Sequence, residues 1–259
     1  PASGSRNHKG GDVMIKYHGT PIGGKTTDAA ELLRGRHGLV SIAHPEQLNV
    51  VLENCQSFIL DNGAFTEWKK SGNEIDFAAY VEWVTSLYRH PNFDFCLIPG
   101  KIDGTEEENA QLVNKWLRMG LRAKGAPIWH LHESLEWLEW MIDRFEWVAI
   151  GSSGQWATPN TKGWWSRMGE AMSVCCDSFG RPRAKLHGLR MLDPCIFTSL
   201  PLASADSTNA ARNNNQLSRF GMYAPPSAGQ RAANIAARIE SFNSAPVWLG
   251  NGQQSLELF

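Results

Sequence analysis

Ser57-Phe58-Ile59-Leu60-Asp61-Asn62-Gly63-Ala64-Phe65 is a short apolar run that ends on a carboxylate and turns through glycine. Such a run, uninterrupted by polar residues, reads as a strand covered on both faces, the habit of parallel sheets. Asp61 then stands where the buried strand meets solvent, the edge at which parallel α/β proteins do chemistry. Ser199-Leu200-Pro201-Leu202-Ala203-Ser204-Ala205-Asp206-Ser207-Thr208 repeats the arrangement and ends on Asp206. The two aspartates give the chain an acid/base or nucleophile pair.

Around these runs, apolar strands alternate with amphipathic helices. Strands are expected at 14–18, 39–43, 57–60, 93–98, 127–131, 147–150, 185–189 and 198–203. Helices are expected at 27–34, 45–54, 75–89, 106–124, 134–145 and 162–179, with a short piece at 193–197 and a last helix at 229–242. Ile75, Ala78, Ala79, Glu82, Trp83, Ser86 and Leu87 show the three-and-four spacing of a helix with one buried face. About eight strands, each followed by a helix, is the count of a (β/α)8 TIM barrel. A doubly wound open sheet is the competing arrangement, since strand order is not written in sequence. Residues 13–259 read as one domain, with 209–227 as the long loop after the last strand. Residues 1–12, polar and Gly-rich, read as a mobile tail or a cloning remnant.

The chain has 259 residues, of which 42% are hydrophobic, enough for a sizeable core. Its 25 Lys and Arg balance 26 Asp and Glu for a net charge of -1, which argues against binding nucleic acid by bulk charge. Cys55, Cys96, Cys175, Cys176 and Cys195 are odd in number and contain no Cys-x-x-Cys, so free thiols in a reducing cytoplasm are expected. No apolar run has the length of a membrane span, and no signal peptide is visible.

Several motifs sit at expected strand ends. Gly19-Thr20-Pro21-Ile22-Gly23-Gly24-Lys25-Thr26 fits the phosphate-binding pattern G-x-x-x-x-G-K-[ST]. Pro21 removes an amide from that cradle, and the polar strand before it is unlike the dry central strand of such folds. His130-Leu131-His132 puts two imidazoles on one strand face, a metal pair by spacing, or a hydrogen-bonding His132 beside a His130 inside the barrel. Gly151, followed by Ser152, would let a flat ligand lie against backbone, and His187-Gly188 repeats that arrangement. Phe65 and Trp68 beside Lys69 and Lys70 form a candidate stacking and phosphate-contacting lip. Trp137, Trp140, Trp164 and Trp165 read as helix-packing residues.

Taken in order, these strand ends resemble the tRNA-guanine transglycosylase superfamily, and most closely its short phage and bacterial relatives that place 7-deazaguanines in DNA. The likeness rests on His18-Gly19-Thr20-Pro21, Leu60-Asp61-Asn62-Gly63-Ala64-Phe65, Pro99-Gly100-Lys101-Ile102-Asp103-Gly104, Ala149-Ile150-Gly151, His187-Gly188-Leu189 and Ser204-Ala205-Asp206-Ser207-Thr208. It implies base exchange at an N-glycosidic bond, with no cofactor or metal. By position, Asp206 matches the nucleophile and Asp61 the acid/base. His132 matches the amide donor to the base, and Gly151 with Ser152 the backbone contact to its edge. His18, Asn62, Gly63, Phe65, Asp103, His187 and Ser204 complete the expected binding set.

The chain departs from the family in two places. The zinc-binding Cys-x-Cys-x-x-Cys…His segment is absent, which favours DNA over tRNA. Gly100 stands where a base-selecting acid is usual, with Asp103 nearby. Expected partners are therefore nucleic acid and a guanine or 7-deazaguanine base, with a partner subunit or a rim of Lys69, Lys70, Arg212 and Arg219 supplying charge. Two other readings remain: a nucleotide hydrolase built on residues 19–26, and a catalytically silent base-binding barrel suggested by Gly100.

Overall fold

The structure, a computed structural model, describes residues 13–23, 25–71, 76–121, 124–215 and 224–250, with backbone alone at 68–71. The expected tail at 1–12 lies outside the described residues, as do Arg219 and the side chains of Trp68, Lys69 and Lys70.

Nine strands lie in one sheet: β1 Ile15–Gly19, β2 His37–Ser41, β3 Ser57–Asp61, β4 Phe93–Leu97, β5 Gly125–Ala126, β6 Ile128–His130, β7 Trp147–Gly151, β8 Lys185–Gly188 and β9 Ser204–Ser207. All recorded pairings within it are parallel, in the order β5-β4-β3-β2-β1-β9-β8-β7-β6. The two ends of that order are separated in the chain by Pro127 alone. Ile98 N–H donates to Ala126 O at 2.8 Å on one side, and Ala149 N–H donates to Pro127 O at 2.9 Å on the other. β5 and β6 are thus two halves of one stave, broken where proline has no amide to give. The sheet closes into a TIM barrel, as the strand count implies.

The helices are α1 Thr26–Leu33, α2 Leu48–Asn54, α3 Ala64–Ser71, α4 Phe77–Leu87, α5 Glu106–Arg118, α6 Leu135–Ile142, α7 Lys162–Cys175, α8 Pro194–Phe197, α9 Asn209–Arg212 and α10 Ala228–Glu240. Their starts are written locally. Thr105 and Glu108 form a reciprocal capping box on α5, and the Ser134, Thr161 and Ser227 hydroxyls cap α6, α7 and α10.

Several elements differ from the sequence reading. The last strand is Ser204–Ser207, not 198–203, because Pro201 cannot donate to a ladder and Thr198 to Leu200 turn back on α8. β2 begins earlier, at His37. α5 stops at Arg118, where Gly120 takes φ +74°. The α3 and α9 helices occupy stretches expected to be loop.

The core has two layers. Inside the barrel lie Tyr17, Leu39, Ile59, Phe95, Leu97, Ala126 and Ala149. Outside it, Leu60, Cys96, Trp129, Ile150, Leu186 and Ala205 pack with helix residues such as Leu32, Val84, Trp116, Leu138, Met168 and Ala236. Trp164 and Trp165 are buried in that outer layer, and Trp137 stacks on Trp140 at 4.7 Å. One irregularity matters for the interior. Between Phe58 and Leu60, β4 advances from Phe93 to Cys96, one residue more than β3. The extra residue turns both Asp94 and Phe95 inward. The Tyr17 hydroxyl donates to Asp94 Oδ2 at 2.6 Å, and Phe95 stacks on Trp147 at 4.4 Å.

Candidate active site

Side chains on a strand alternate between faces, so one inward residue fixes the parity of its neighbours. Ile59 is inside, hence Asp61 is inside and Leu60 outside. On β9 Ala205 is outside, hence Ser204 and Asp206 face in. The same count brings His187, Ala149 and Gly151, and Ile128 and His130, to the inner wall. Asp61 and Asp206 therefore converge on the C-terminal mouth from opposite flanks of β1 and β2.

Asp61 ends β3 with its carboxyl pushed up to about 6, chiefly by burial. The Ser41 hydroxyl pulls the other way, the negative field of Asp206 raises it further, and the Gly63 and Asn62 amides oppose. Gly63 N–H reaches Asp61 Oδ2 at 3.3 Å, and its φ of +75° suits glycine in so tight a turn. Near neutral pH this acid passes between its two protonation states.

Asp206 is held differently. Arg190 N–H donates to Oδ1 at 2.6 Å, and His187 Nε2 lies 3.7 Å from the same oxygen. His187 is fully buried, its Nδ1 is 2.8 Å from Ser204 Oγ, and its Nε2 has no hydrogen-bond partner. Arg190 adopts φ +57°, which turns its amide toward Asp206, and its guanidinium lies 4.1 Å over the Phe65 ring. The loop after β8 and the first turn of α3 thus meet through a cation–π contact.

On the next wall, Glu133 is buried and accepts from His130 N–H at 2.8 Å and from Asn109 Nδ2 at 2.7 Å. Asn109 Oδ1 also accepts from Lys101 N–H at 2.7 Å, tying the loop after β4 to this cluster. A Cβ at Gly100 would meet Asn109 Oδ1 at 3.3 Å and His130 Cε1 at 3.6 Å, so a side chain here would press lightly on Asn109.

Asp61, Asp206, Gly63, Phe65, Gly151, His187 and Ser204 are brought together at or just below the mouth; the other expected binding residues are not. His18 has the wrong parity: it points out of the barrel, with Nε2 2.9 Å from Glu240 Oε1 on α10. Ser152 is outward for the same reason and accepts from Trp164 Nε1 at 2.9 Å. Asn62 is buried as a brace, donating to Ile98 O at 3.0 Å and accepting Ala64 N–H at 2.9 Å. His132 has both ring nitrogens engaged, Nε2 with Gly104 O at 3.1 Å and Nδ1 with Ser153 Oγ at 2.7 Å. A carbonyl can only accept, so Nε2 carries the proton and neither nitrogen is left for a base. Asp103 is exposed on its loop, and Arg212 is exposed on α9. His130, Glu133, Asn109, Ser41 and Arg190 join the site beyond the expected binding set.

Three amides of the phosphate-binding pattern are committed within the protein. Thr20 N–H donates to Leu39 O, Ile22 N–H to Gln47 Oε1 and Lys25 N–H to Asp28 Oδ2, and Pro21 has none to give. Asp28 also accepts from Gly229 N–H at 3.0 Å, so a carboxylate caps both α1 and α10 beside the spot a phosphate would take. These contacts count against the nucleotide-hydrolase reading. Among the described residues, no three His, Cys, Asp or Glu side chains gather closely enough to hold a metal ion, and no helix is long and apolar enough to cross a membrane.

No protein-family model matches the sequence, and no curated protein does. Solved structures do match in shape. A mutant tryptophan synthase alpha-subunit from Pyrococcus furiosus superposes with a TM-score of 0.54 at 10% identity, over 89% of this chain and 98% of that one. A structure from Aquifex aeolicus VF5 gives 0.50 at 13% identity, over 89% and 91%. At such identities the likeness is one of fold, and the fold it supports is the single-domain TIM barrel.

Proposed function

We propose that the chain is a base-exchange transglycosylase, replacing a guanine-type base in nucleic acid, DNA ahead of tRNA, with a 7-deazaguanine. The observation that carries this reading is the pair of inward carboxyl groups at the C-terminal rim, Asp61 and Asp206, close enough that the negative field of Asp206 favours the protonated form of Asp61. Double displacement at a glycosidic carbon needs one carboxylate to attack and one acid to carry a proton.

In the first step a lone pair on Asp206 Oδ2 forms a bond to C1′. The C1′–N bond breaks, and its electron pair leaves with the base, which takes a proton from Asp61. In the second step the incoming base returns a proton to Asp61 and bonds C1′ through its ring nitrogen. The C1′–Oδ2 pair then returns to Asp206. Oδ1 is the oxygen already engaged by Arg190 N–H, which leaves Oδ2 for the attack. Gly151 lies on the inner wall, where Ile128, Leu189 and His130 border the place of its missing side chain at 3.5 to 3.6 Å. Phe65 lies in the first turn of α3, just past the Asp61 turn, with the Arg190 guanidinium 4.1 Å over its ring.

A silent base-binding barrel is the second reading, favoured by Gly100, which brings no acid to the end of β4. One experiment separates the two. Duplex DNA, single-stranded DNA and tRNA are incubated with labelled guanine or preQ0, and quenched samples are weighed for a protein–nucleic acid adduct. Label incorporation with a trapped adduct is expected, lost in Asp206→Asn while the circular dichroism spectrum is kept. Full exchange by Asp206→Asn refutes the assignment. Base binding with neither incorporation nor adduct selects the silent barrel.

A further inference from the structure

We propose that His187 is a positioning residue for Asp206, holding a proton on Nε2 toward Oδ1 so that Oδ1 rests between two donors while Oδ2 makes and breaks the glycosyl bond. This deepens the base-exchange reading and rests on it. Three observations carry the inference. His187 is fully buried, with Nε2 lacking any hydrogen-bond partner, a costly state for a polar atom unless it has a use. That nitrogen lies 3.7 Å from Asp206 Oδ1, beyond a hydrogen bond but within a small movement of one. The other nitrogen is 2.8 Å from the Ser204 hydroxyl, which can donate to it and leave the ring proton on Nε2.

The ring has no freedom to turn away. Tyr17 and Phe95 meet it edge-on, with centroids at 6.1 and 5.4 Å. Among the described residues, the charged or titratable side chains recorded against it are Asp206 from β9 and Tyr17 from β1, whose hydroxyl is committed to Asp94. Arg190 N–H approaches Oδ1 from the loop after β8, so loop amide and imidazole form a two-donor seat for one oxygen.

The seat has a directional consequence. Attack by Oδ2 converts the carboxylate to an ester and drains charge from Oδ1; departure restores it. Donors on Oδ1 favour the charged form, so they speed the return of the electron pair to Asp206 and restrain the attack. Losing His187's donor should therefore let the glycosyl-enzyme accumulate.

The test uses His187→Gln, whose amide nitrogen reaches the place of Nε2, and His187→Asn, which keeps only the Ser204 side. His187→Asn is expected to slow turnover about tenfold and to raise the steady-state fraction of trapped adduct, with KM little changed. His187→Gln should restore most of both. A lowered adduct fraction in His187→Asn, or equal defects in the two variants, overturns the proposal. A second measurement needs no substrate: 15N NMR of the wild type should show His187 protonated on Nε2, and the signal should move in Asp206→Asn. A ring protonated on Nδ1 alone overturns the contact. If the wild type traps no sugar from any nucleic acid, the base-exchange reading falls, and the spectrum still decides whether His187 addresses Asp206.

Discussion

Replacing Asp61 with Asn should stabilise the protein at neutral pH, and by an amount that depends on pH in a defined direction. Burial and the neighbouring Asp206 raise this carboxyl from 3.8 to about 6, which corresponds to about 3 kcal/mol of preference for the neutral form. Below about pH 4 the group is protonated in both folded and unfolded chains, and wild type and Asp61→Asn should differ little on its account. Between about pH 4 and pH 6 the unfolded chain releases the proton and the folded one keeps it. The native state then binds more protons, so wild-type stability falls as pH rises, by at most about 1.4 kcal/mol per pH unit. Above about pH 6 the loss is complete. The Asp61→Asn variant carries an amide that cannot ionise, and so escapes it. Urea unfolding of both proteins from pH 4 to pH 8 should show the variant gaining about 3 kcal/mol across that window, the other titrating groups cancelling in the difference. In an Asp206→Asn background the gain should shrink, because one of its causes has been removed. A difference that stays flat with pH, or a wild type that gains on the variant as pH rises, would refute the account of Asp61.

Asn62→Ala should cost about 2–3 kcal/mol in urea unfolding, because it strands the Ile98 carbonyl and the Ala64 amide. If Asn62 instead served substrate, KM would change with stability unmoved. Lys25→Ala should leave base exchange unchanged and show no loss of ATP or GTP binding by calorimetry, because the Thr20, Ile22 and Lys25 amides are committed to the protein itself. Phe65→Ala should raise KM for the nucleic acid by about tenfold, on the order of one lost stacking contact, with adduct formation at saturation retained.

The strands that can be read from sequence are those whose apolar residues face the helix layer, such as Phe58 and Leu60 on β3 or Val148 and Ile150 on β7. β9 is misplaced from sequence because Ser-Ala-Asp-Ser has no hydrophobic signature. Its inward side chains serve the site, and its small outward Ala205 leaves room for neighbours. α3 is hidden because Thr66, Glu67, Lys69 and Lys70 make it largely polar. The aspartates are legible as carboxylates at strand ends. His18 and Ser152 are misjudged for want of one parity count: Tyr17 and Gly151 face inward, so their next neighbours cannot. Glu133 gives no sign in sequence, since only the fold brings it behind His130 and Asn109. Arg190 enters through its backbone amide, which any residue but proline could have supplied.

The interruption at Pro127 has a mechanical corollary. Each stave is zipped to the one that precedes it in the chain, and β1 to β9; at the join through Gly125 and Ala126 the pairs in register are Cys96–Gly125 and Leu97–Ala126. That join runs through a strand of 2 residues, the shortest in the ring, so it is the place where a warmed cylinder should first come unbuttoned. Deuterium should enter the Ile98 amide well before the amides of Leu60 or Ile150. The molecule would then open like a scroll along one line, with both aspartates remaining on the same leaf.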